Sequence, residues 1–467
     1  MRCVGRWVFG PLIVAALLAA CARTTPPKEP LSPAQQQAEI KRLQIELDVK
    51  QQRIETLEHQ VAERSRQINL ERDRKSGLEI QQRAAQLRHL RAKRNVEMSP
   101  LTSEVLGQLI DREIGDRHAK TQFRGYEILL KHLGLIPAKL QLESFLRALY
   151  SEQVAGIYDD DTKKLYVSDK FDLKGTLAKV ILAHEICHAL QDQNFNLTSS
   201  PIHLKTNDDR ALAALCVVEG DATVLMTDYM ATIVTWRTLF EIPGMLMLDQ
   251  KQLSAAPRFL SQSLLFPYLQ GLAFVTQWIE KKGEGARDQL FRNYPRSTEQ
   301  ILHPEKYGGP EKDEPTEISL DSVSSTRFIP SKNRYNNVAG EMGIRVMLSE
   351  RLSKNEAETA AAGWDGDRMV FGGQLDGSYA FAWLSIWDND QDAREFAEAL
   401  QHYFKKERHD LAAQPGEKPE VVWLADKLGL VAIARKGDIV ACVHSDDPKR
   451  ATRLLDALLA IKLERVP

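Results

Sequence analysis

The chain has 467 residues, 43% of them hydrophobic and 27% charged, with a formal net charge of −2. That length and apolar content support two or three domains around a sizeable core, and they exclude wholesale disorder. Beyond residue 21 only Cys187, Cys216 and Cys442 remain, too few and too far apart for a disulfide framework; buried free thiols are expected, with a Cys187–Cys216 bridge as the alternative.

In chain order, Arg2 and Arg6 precede "WVFGPLIVAALLAA", an apolar run too short and too small-ended to span a membrane, which reads as a secretory signal over residues 1–20. The run ends in "LAAC", Leu18 to Cys21, which resembles the lipobox of bacterial lipoproteins. The resemblance implies a mature chain that begins at a diacylated Cys21, anchored in the bacterial cell envelope. Ala22 implies sorting to the outer membrane, facing the periplasm. An ordinary signal with an incidental cysteine is the alternative. Loss of Arg2 and Arg6 leaves 60 Lys and Arg against 64 acids.

"TTPPKEPLSP" then predicts an extended tether over 21–34, since its prolines fix φ and remove donors. Ile40, Leu47, Ile54, Val61 and Ile68 recur every seventh residue, with Leu43, Leu57 and Leu78 in the companion position. This spacing predicts a coiled-coil stalk over 35–95 that pairs with itself, with an envelope partner or with the protein's own body. Lys50, Arg64 and Glu71 interrupt the seam, and a solvated single helix is the alternative. Between Arg64 and Arg94 ten Lys or Arg stand against Glu71, Asp73 and Glu79. A secreted lipoprotein rarely meets nucleic acid, so a plain solvated face is the first reading of this basic stretch, ahead of anionic lipid head groups or an acidic partner.

Residues 96–330 read as mainly helical, with helices over Leu101–Arg117, Gln122–His132 and Leu142–Gln153. A hairpin of Val154–Tyr158 and Lys164–Ser168 interrupts them; its turn holds Asp159, Asp160 and Asp161, calcium ligands or simply turn residues. After a polar linker, "SSTRFIPSKNRYNN", residues 336–467 read as a separate α+β domain. Its expected elements are a helix over Ala339–Arg351, strands near Arg368–Phe371 and Tyr379–Ile386, a helix capped by Asp388 or Asp390, three strands within Val421–Val443 and a last helix after Asp446.

The chemistry lies in "ILAHEICHALQDQ", Ile181 to Gln193. Four residues is about one helical turn, so His184 and His188 can direct both imidazoles at one point, with Glu185 close enough to reach a water there. Such an arrangement suits zinc-assisted hydrolysis with the carboxylate as general base. Thirty-one residues after His188, Glu219 sits among Leu212, Leu215, Cys216, Ala222, Thr223 and Met226 on an apolar helical face. A carboxylate placed there requires a cation or a hydrogen-bond network, which makes Glu219 the candidate third ligand of one Zn²⁺. Gly220 beside it is expected to let this helix approach the histidine helix closely.

"HEICH" followed by "VVEGDA" resembles the gluzincin group of zinc metallopeptidases. "HALQDQNF", "FPYLQGLAFV" and "YPRSTEQILHPEKY" are similar to strings in a group of bacterial HExxH proteins, so that the resemblance covers residues 120–310. It implies an α+β fold: a mainly helical gluzincin-like peptidase domain with a small sheet, preceded by the coiled-coil helix and followed by the α+β domain. It further implies His184, His188 and Glu219 as metal ligands, Glu185 as general base, and a hairpin strand that pairs with an extended peptide substrate. Thr223 stands where thermolysin-like enzymes carry an aspartate, so the acid that orients each histidine is left among Asp192, Asp221 and Asp228. His303 and Tyr307, beyond a capping box of Ser297 and Gln300, are the candidates for oxyanion stabilisation, ahead of Tyr294 and Arg296. The expected function is hydrolysis of peptide bonds in the envelope. The alternative is a non-catalytic scaffold lipoprotein in which the metal staples two helices.

Overall fold

The computed structural model describes residues 32–114, 117–153, 156–168, 175–233, 255–324, 328–375, 377–407, 412–414, 421–426 and 429–463. The expected signal, Cys21 and nearly all of the tether lie outside them. The chain divides into two bodies, residues 1–72 and 73–467. Among the described residues no helix is long and apolar enough to cross a membrane.

Helix α1 (Pro33–Arg88) begins in the first body and ends in the second. Ser32 and Gln35 exchange side-chain-to-backbone hydrogen bonds at 2.9 and 3.4 Å. Pro33 takes the first helical position, where a missing N–H costs nothing, so the helix starts inside the expected tether. The heptad residues Ile40, Leu43, Leu47, Ile54, Leu57 and Val61 are 43–65% exposed. From Gly77 onward another face is buried, that of Gly77, Ile80, Gln81, Ala84 and Arg88, while Leu78 is exposed. The expected stalk therefore stops short of residue 95: its last turns leave the heptad register and join a core with Leu165, Leu182 and Ile186.

The second body continues with β1 (Glu97–Pro100), α2 (Ser103–Ile114), α3 (Arg117–His132), α4 (Leu142–Gln153), β2 (Gly156–Asp159), β3 (Lys164–Val167), α5 (Thr176–Phe195), α6 (Asp208–Ile233), α7 (Arg258–Lys282), α8 (Arg287–Arg292), α9 (Thr298–Leu302) and α10 (Glu305–Gly308). In a three-stranded sheet β3 is central, with β1 parallel on one side and β2 antiparallel on the other. The acidic turn of the hairpin is occupied by partners of the chain itself: Asp159 accepts from Thr162 Oγ1 at 2.6 Å and from Arg112, and Asp160 pairs with His203. α6 crosses α7 with almost no space between the backbones, since a Cβ on Gly220 would lie 2.3 Å from Gly271 O and one on Gly271 2.2 Å from Cys216 O. The partner that Gly220 admits is thus α7, and not the histidine helix.

The C-terminal part comprises β4 (Tyr335–Asn337), α11 (Gly340–Ser349), α12 (Lys354–Ala361), β5 (Trp364–Gly373), β6 (Tyr379–Trp387), α13 (Asp390–Glu407), β7 (Ala412–Gln414), β8 (Val421–Asp426), β9 (Gly429–Lys436), β10 (Ile439–Ser445) and α14 (Pro448–Leu459). Its strands form one antiparallel sheet in the order β4-β5-β6-β10-β9-β8-β7. Along β6 the alternation is complete. Tyr379, Phe381, Trp383 and Trp387 meet Phe396, Leu400 and Phe404 of α13, while Ala380, Ala382, Leu384 and Ile386 meet Leu454, Leu455 and Leu458 of α14. α13 is capped by Asn389, which accepts from Gln391 N and Asp392 N, rather than by Asp388 or Asp390. The stretch expected as a polar linker buries Ile329 and Tyr335 and supplies β4. One apolar cluster runs from Leu129 and Phe274 through Met342 to Trp383 and Phe404, so the core is continuous across residue 336. The chain is α+β, as its sequence texture implies. All three cysteines beyond residue 21 are buried and free.

Candidate metal centre

α5 is buried along most of its length because the three-stranded sheet, α1 and α6 all pack against it. It ends at Asn196, whose left-handed conformation (φ 58°) lets its N–H bond back to Asp192 O. The helical period stacks His184 and His188 on one face, and α6, started by Asn207 accepting from Arg210 N, brings Glu219 against them. The two Nε2 atoms lie 3.1 Å apart, and Glu219 Oε2 is 3.0 Å from His184 Nε2 and 3.5 Å from His188 Nε2. The three side chains are only 10–13% exposed.

His188 has its tautomer set by its neighbours. Gln191 donates its amide nitrogen to Val218 O at 3.0 Å and to Asp221 Oδ2 at 2.8 Å, both pure acceptors. Its Oε1 must therefore face His188 Nδ1, 2.9 Å away, which makes Nδ1 a protonated nitrogen and leaves Nε2, facing Glu219 and His184, as the atom that takes a second proton or offers its lone pair to a cation. His184 Nδ1 is buried without a hydrogen-bond partner among the described residues. Two imidazole nitrogens and a carboxylate oxygen converging at these spacings are a donor set suited to a small, borderline-soft cation such as zinc. The electrostatics agree. Burial opposes a charge on His188, yet Glu219 and Glu185 raise its pKa to about 9. Burial likewise opposes ionisation of Glu219, but the two histidines hold it well below the usual carboxylate range. The cluster favours positive charge, which a proton or a metal ion can supply.

Glu185 stands beside the cluster. Its Oε2 accepts from Tyr158 N on the edge strand β2 at 3.0 Å, and Gly156 packs on its stem. Burial raises its pKa above the ordinary value, against the pull of the two histidines. Tyr268, from α7, lies over His184 with ring centroids 6.1 Å apart, near enough to Glu219 for that carboxylate's charge to raise its pKa. Sequence reasoning missed it. Pro267 and Gly271 around it, in a helix that must cross α6 closely, are the only local signal.

The other candidates are placed elsewhere. None of Asp192, Asp221 and Asp228 bonds an imidazole. Asp192 accepts from Tyr158 OH and Lys163 Nζ, both at 2.8 Å, and so ties the hairpin to α5. Asp221 acts on His188 only through Gln191, a residue overlooked although it lies one turn beyond His188 in the motif. Thr223 donates to Glu219 O. His303 Nε2 faces Glu341 at 3.0 Å, Tyr307 OH donates to Asn293 O, and Arg296 pairs with Glu314 and Glu317. Their polar atoms are thus engaged away from His184 and His188. Ser297 accepts from Gln300 N, but Gln300 returns its bond to Arg296 N, so the capping box is half formed. A second group of carboxylates, Glu299, Asp313 and Asp388, is already filled by Lys306 Nζ at 2.6, 2.9 and 2.7 Å.

Residues 326–455 match the model of a family described as a domain of unknown function, DUF8575. That stretch covers the C-terminal sheet and contains none of the cluster residues. No curated protein and no solved structure matches the chain.

Proposed function

We propose that this chain is a gluzincin-type zinc metallopeptidase that hydrolyses peptide bonds of a peptide or protein in the bacterial cell envelope, anchored there through a lipid on Cys21. The convergence of His184, His188 and Glu219 beside the half-buried Glu185 carries the reading. Zinc held by these three residues would supply Lewis acidity, activating water and polarising the scissile carbonyl. Glu185 takes the proton of the attacking water and passes it to the leaving nitrogen; a pKa raised by burial brings it nearer the range where both transfers are efficient. Tyr268, stacked over His184, supplies a hydroxyl that can donate to the oxygen on which charge develops. β2, at an edge of its sheet and bonded to Glu185 through Tyr158 N, is the strand available to align an extended substrate.

The test is zinc content and cleavage of a denatured protein by the chain from residue 22. Wild type is expected to hold one zinc and cleave. Glu185→Gln should hold zinc and lose at least about 10³-fold in turnover, the combined scale of a lost base and its water. His188→Ala and Glu219→Ala should lose the zinc. Equal cleavage by Glu185→Gln would remove Glu185 as the base. Stoichiometric zinc without cleavage of varied substrates would favour the metal-stapled scaffold.

A further inference from the structure

The end of α1 reaches the metal centre by a route that neither the ligands nor the general base use. Arg88 is 2% exposed, and its Nε donates to Asp221, 2.7 and 2.9 Å from the two carboxylate oxygens. Arg287, equally buried, binds the same carboxylate from the other side, its Nε to Oδ1 at 2.8 Å and its NH2 to the Asp221 carbonyl. The outer nitrogen of Arg88 is fastened to Asp288 at 3.0 Å. Asp221 Oδ2 thus faces Arg88 Nε and the Gln191 amide together.

We propose that Arg88 is a positioning residue for the metal centre, acting on His188 through Asp221 and Gln191. The proposal rests on the metal reading given above, though not on peptidase activity. Two guanidinium groups keep Asp221 in place with one oxygen presented to Gln191, and that oxygen, with Val218 O, obliges the amide to turn its nitrogen inward and its oxygen to His188. Without Arg88, Asp221 is free to turn wholly to Arg287, and the amide loses one of its two acceptors. A flipped amide would donate to His188 Nδ1 and move the imidazole proton to Nε2, the atom that must carry a lone pair to bind a cation. The centre is therefore fully formed only when the last turn of α1 is seated. The long helix and the metal site are coupled through three side chains.

The experiment is a double-mutant cycle on zinc affinity, measured by chelator competition in the chain from residue 22, with the melting temperature of each metal-free variant recorded alongside. Arg88→Met is expected to weaken zinc binding by about 10- to 100-fold, the usual effect of losing a group that orients a ligand. Gln191→Met should cost a similar factor, and adding Arg88→Met to it should cost little more, because both act on one imidazole. Equal affinity of wild type and folded Arg88→Met would overturn the proposal, and so would independent, multiplying effects of the two substitutions. If Arg88→Met does not fold, Arg88→Lys, which keeps the charge without the fork, takes its place in the cycle under the same criteria. Zinc binding by wild type without cleavage leaves this proposal standing and sinks only the peptidase reading. Failure of wild type to bind zinc removes the metal centre and this proposal with it.

Discussion

At the scale of single residues, the site separates holding a cation from using it. His184, His188 and Glu219 fill three positions around one point, while Glu185 and Tyr268 approach it without belonging to the donor set. The Glu219 charge, above all, holds the Tyr268 hydroxyl protonated well above neutral pH, so it acts as a donor throughout the working range. Tyr268→Phe removes that donor alone. We expect unchanged zinc content with turnover lower by about 10²-fold, as for a lost oxyanion donor. Unchanged turnover would leave the hydroxyl a structural role only.

At the scale of elements, α6 is the axis of the second body. Its middle meets α7 through Gly220 and Gly271, and its start is stitched to α9 by Asp209, which accepts from Thr298 N and Thr298 Oγ1. Thr298 Oγ1 in turn accepts from Met342 N of α11. Asp209 packs so closely on Gly340 (φ +68°) that no side chain fits there. Burial raises the Asp209 pKa from 3.8 to about 7, despite the Thr298 hydrogen bonds. The folded state thus binds this proton more tightly than the unfolded state. The resulting stabilisation is complete below about pH 4 and is lost as pH rises through about 7. Urea unfolding should give a lower stability at pH 8 than at pH 5, by up to roughly 3 kcal/mol from this group, because each step of one in pH over which only the folded state holds the proton costs about 1.4 kcal/mol. Asp209→Asn should flatten that slope. A slope unchanged by the substitution would show that other carboxylates are responsible.

At the scale of the whole molecule, the first body presents an apolar seam that a single chain leaves to solvent. Leu47 at 65% and Val61 at 63% exposure are costly for a solitary helix, and their heptad spacing is that of a two-stranded coil. Lys50 in the seam, paired with Glu46 at 2.8 Å, keeps its charge at the rim and weakens any such coil. The chain from residue 22 is expected to sediment as an oligomer at micromolar concentration, and Leu47→Lys with Ile54→Lys as a monomer. A wild-type monomer would exclude self-pairing and leave an envelope partner, the protein's own body or solvent to cover the seam. Part of the basic stretch that follows is already neutralised within the chain, because the buried Arg88 pairs with Asp221 and the exposed Arg94 with Asp192. Its charge excess overstates what a lipid or acidic partner could meet.

Much of this was available from local pattern. A period near 3.6 places His184 and His188 on one face whatever surrounds the helix. The aromatic and small residues alternating in "YAFAWLSIW" mark a strand buried on both sides, and a carboxylate within an apolar stripe marks Glu219. Interactions between distant residues were not legible. Arg88 reaches Asp221 across 133 positions, Gln191 displaces the expected acids because an amide can bridge a carboxylate and an imidazole, and Tyr268 arrives on a helix whose glycine meets another glycine. His303 and Tyr307 were drawn away by Glu341 and Asn293, partners from other segments. Periodicity is a property of neighbouring backbone dihedrals and is written in the chain. Which polar atom satisfies which is decided only when separate elements pack and water leaves, since every buried donor and acceptor must then find its partner among whatever the fold has brought near.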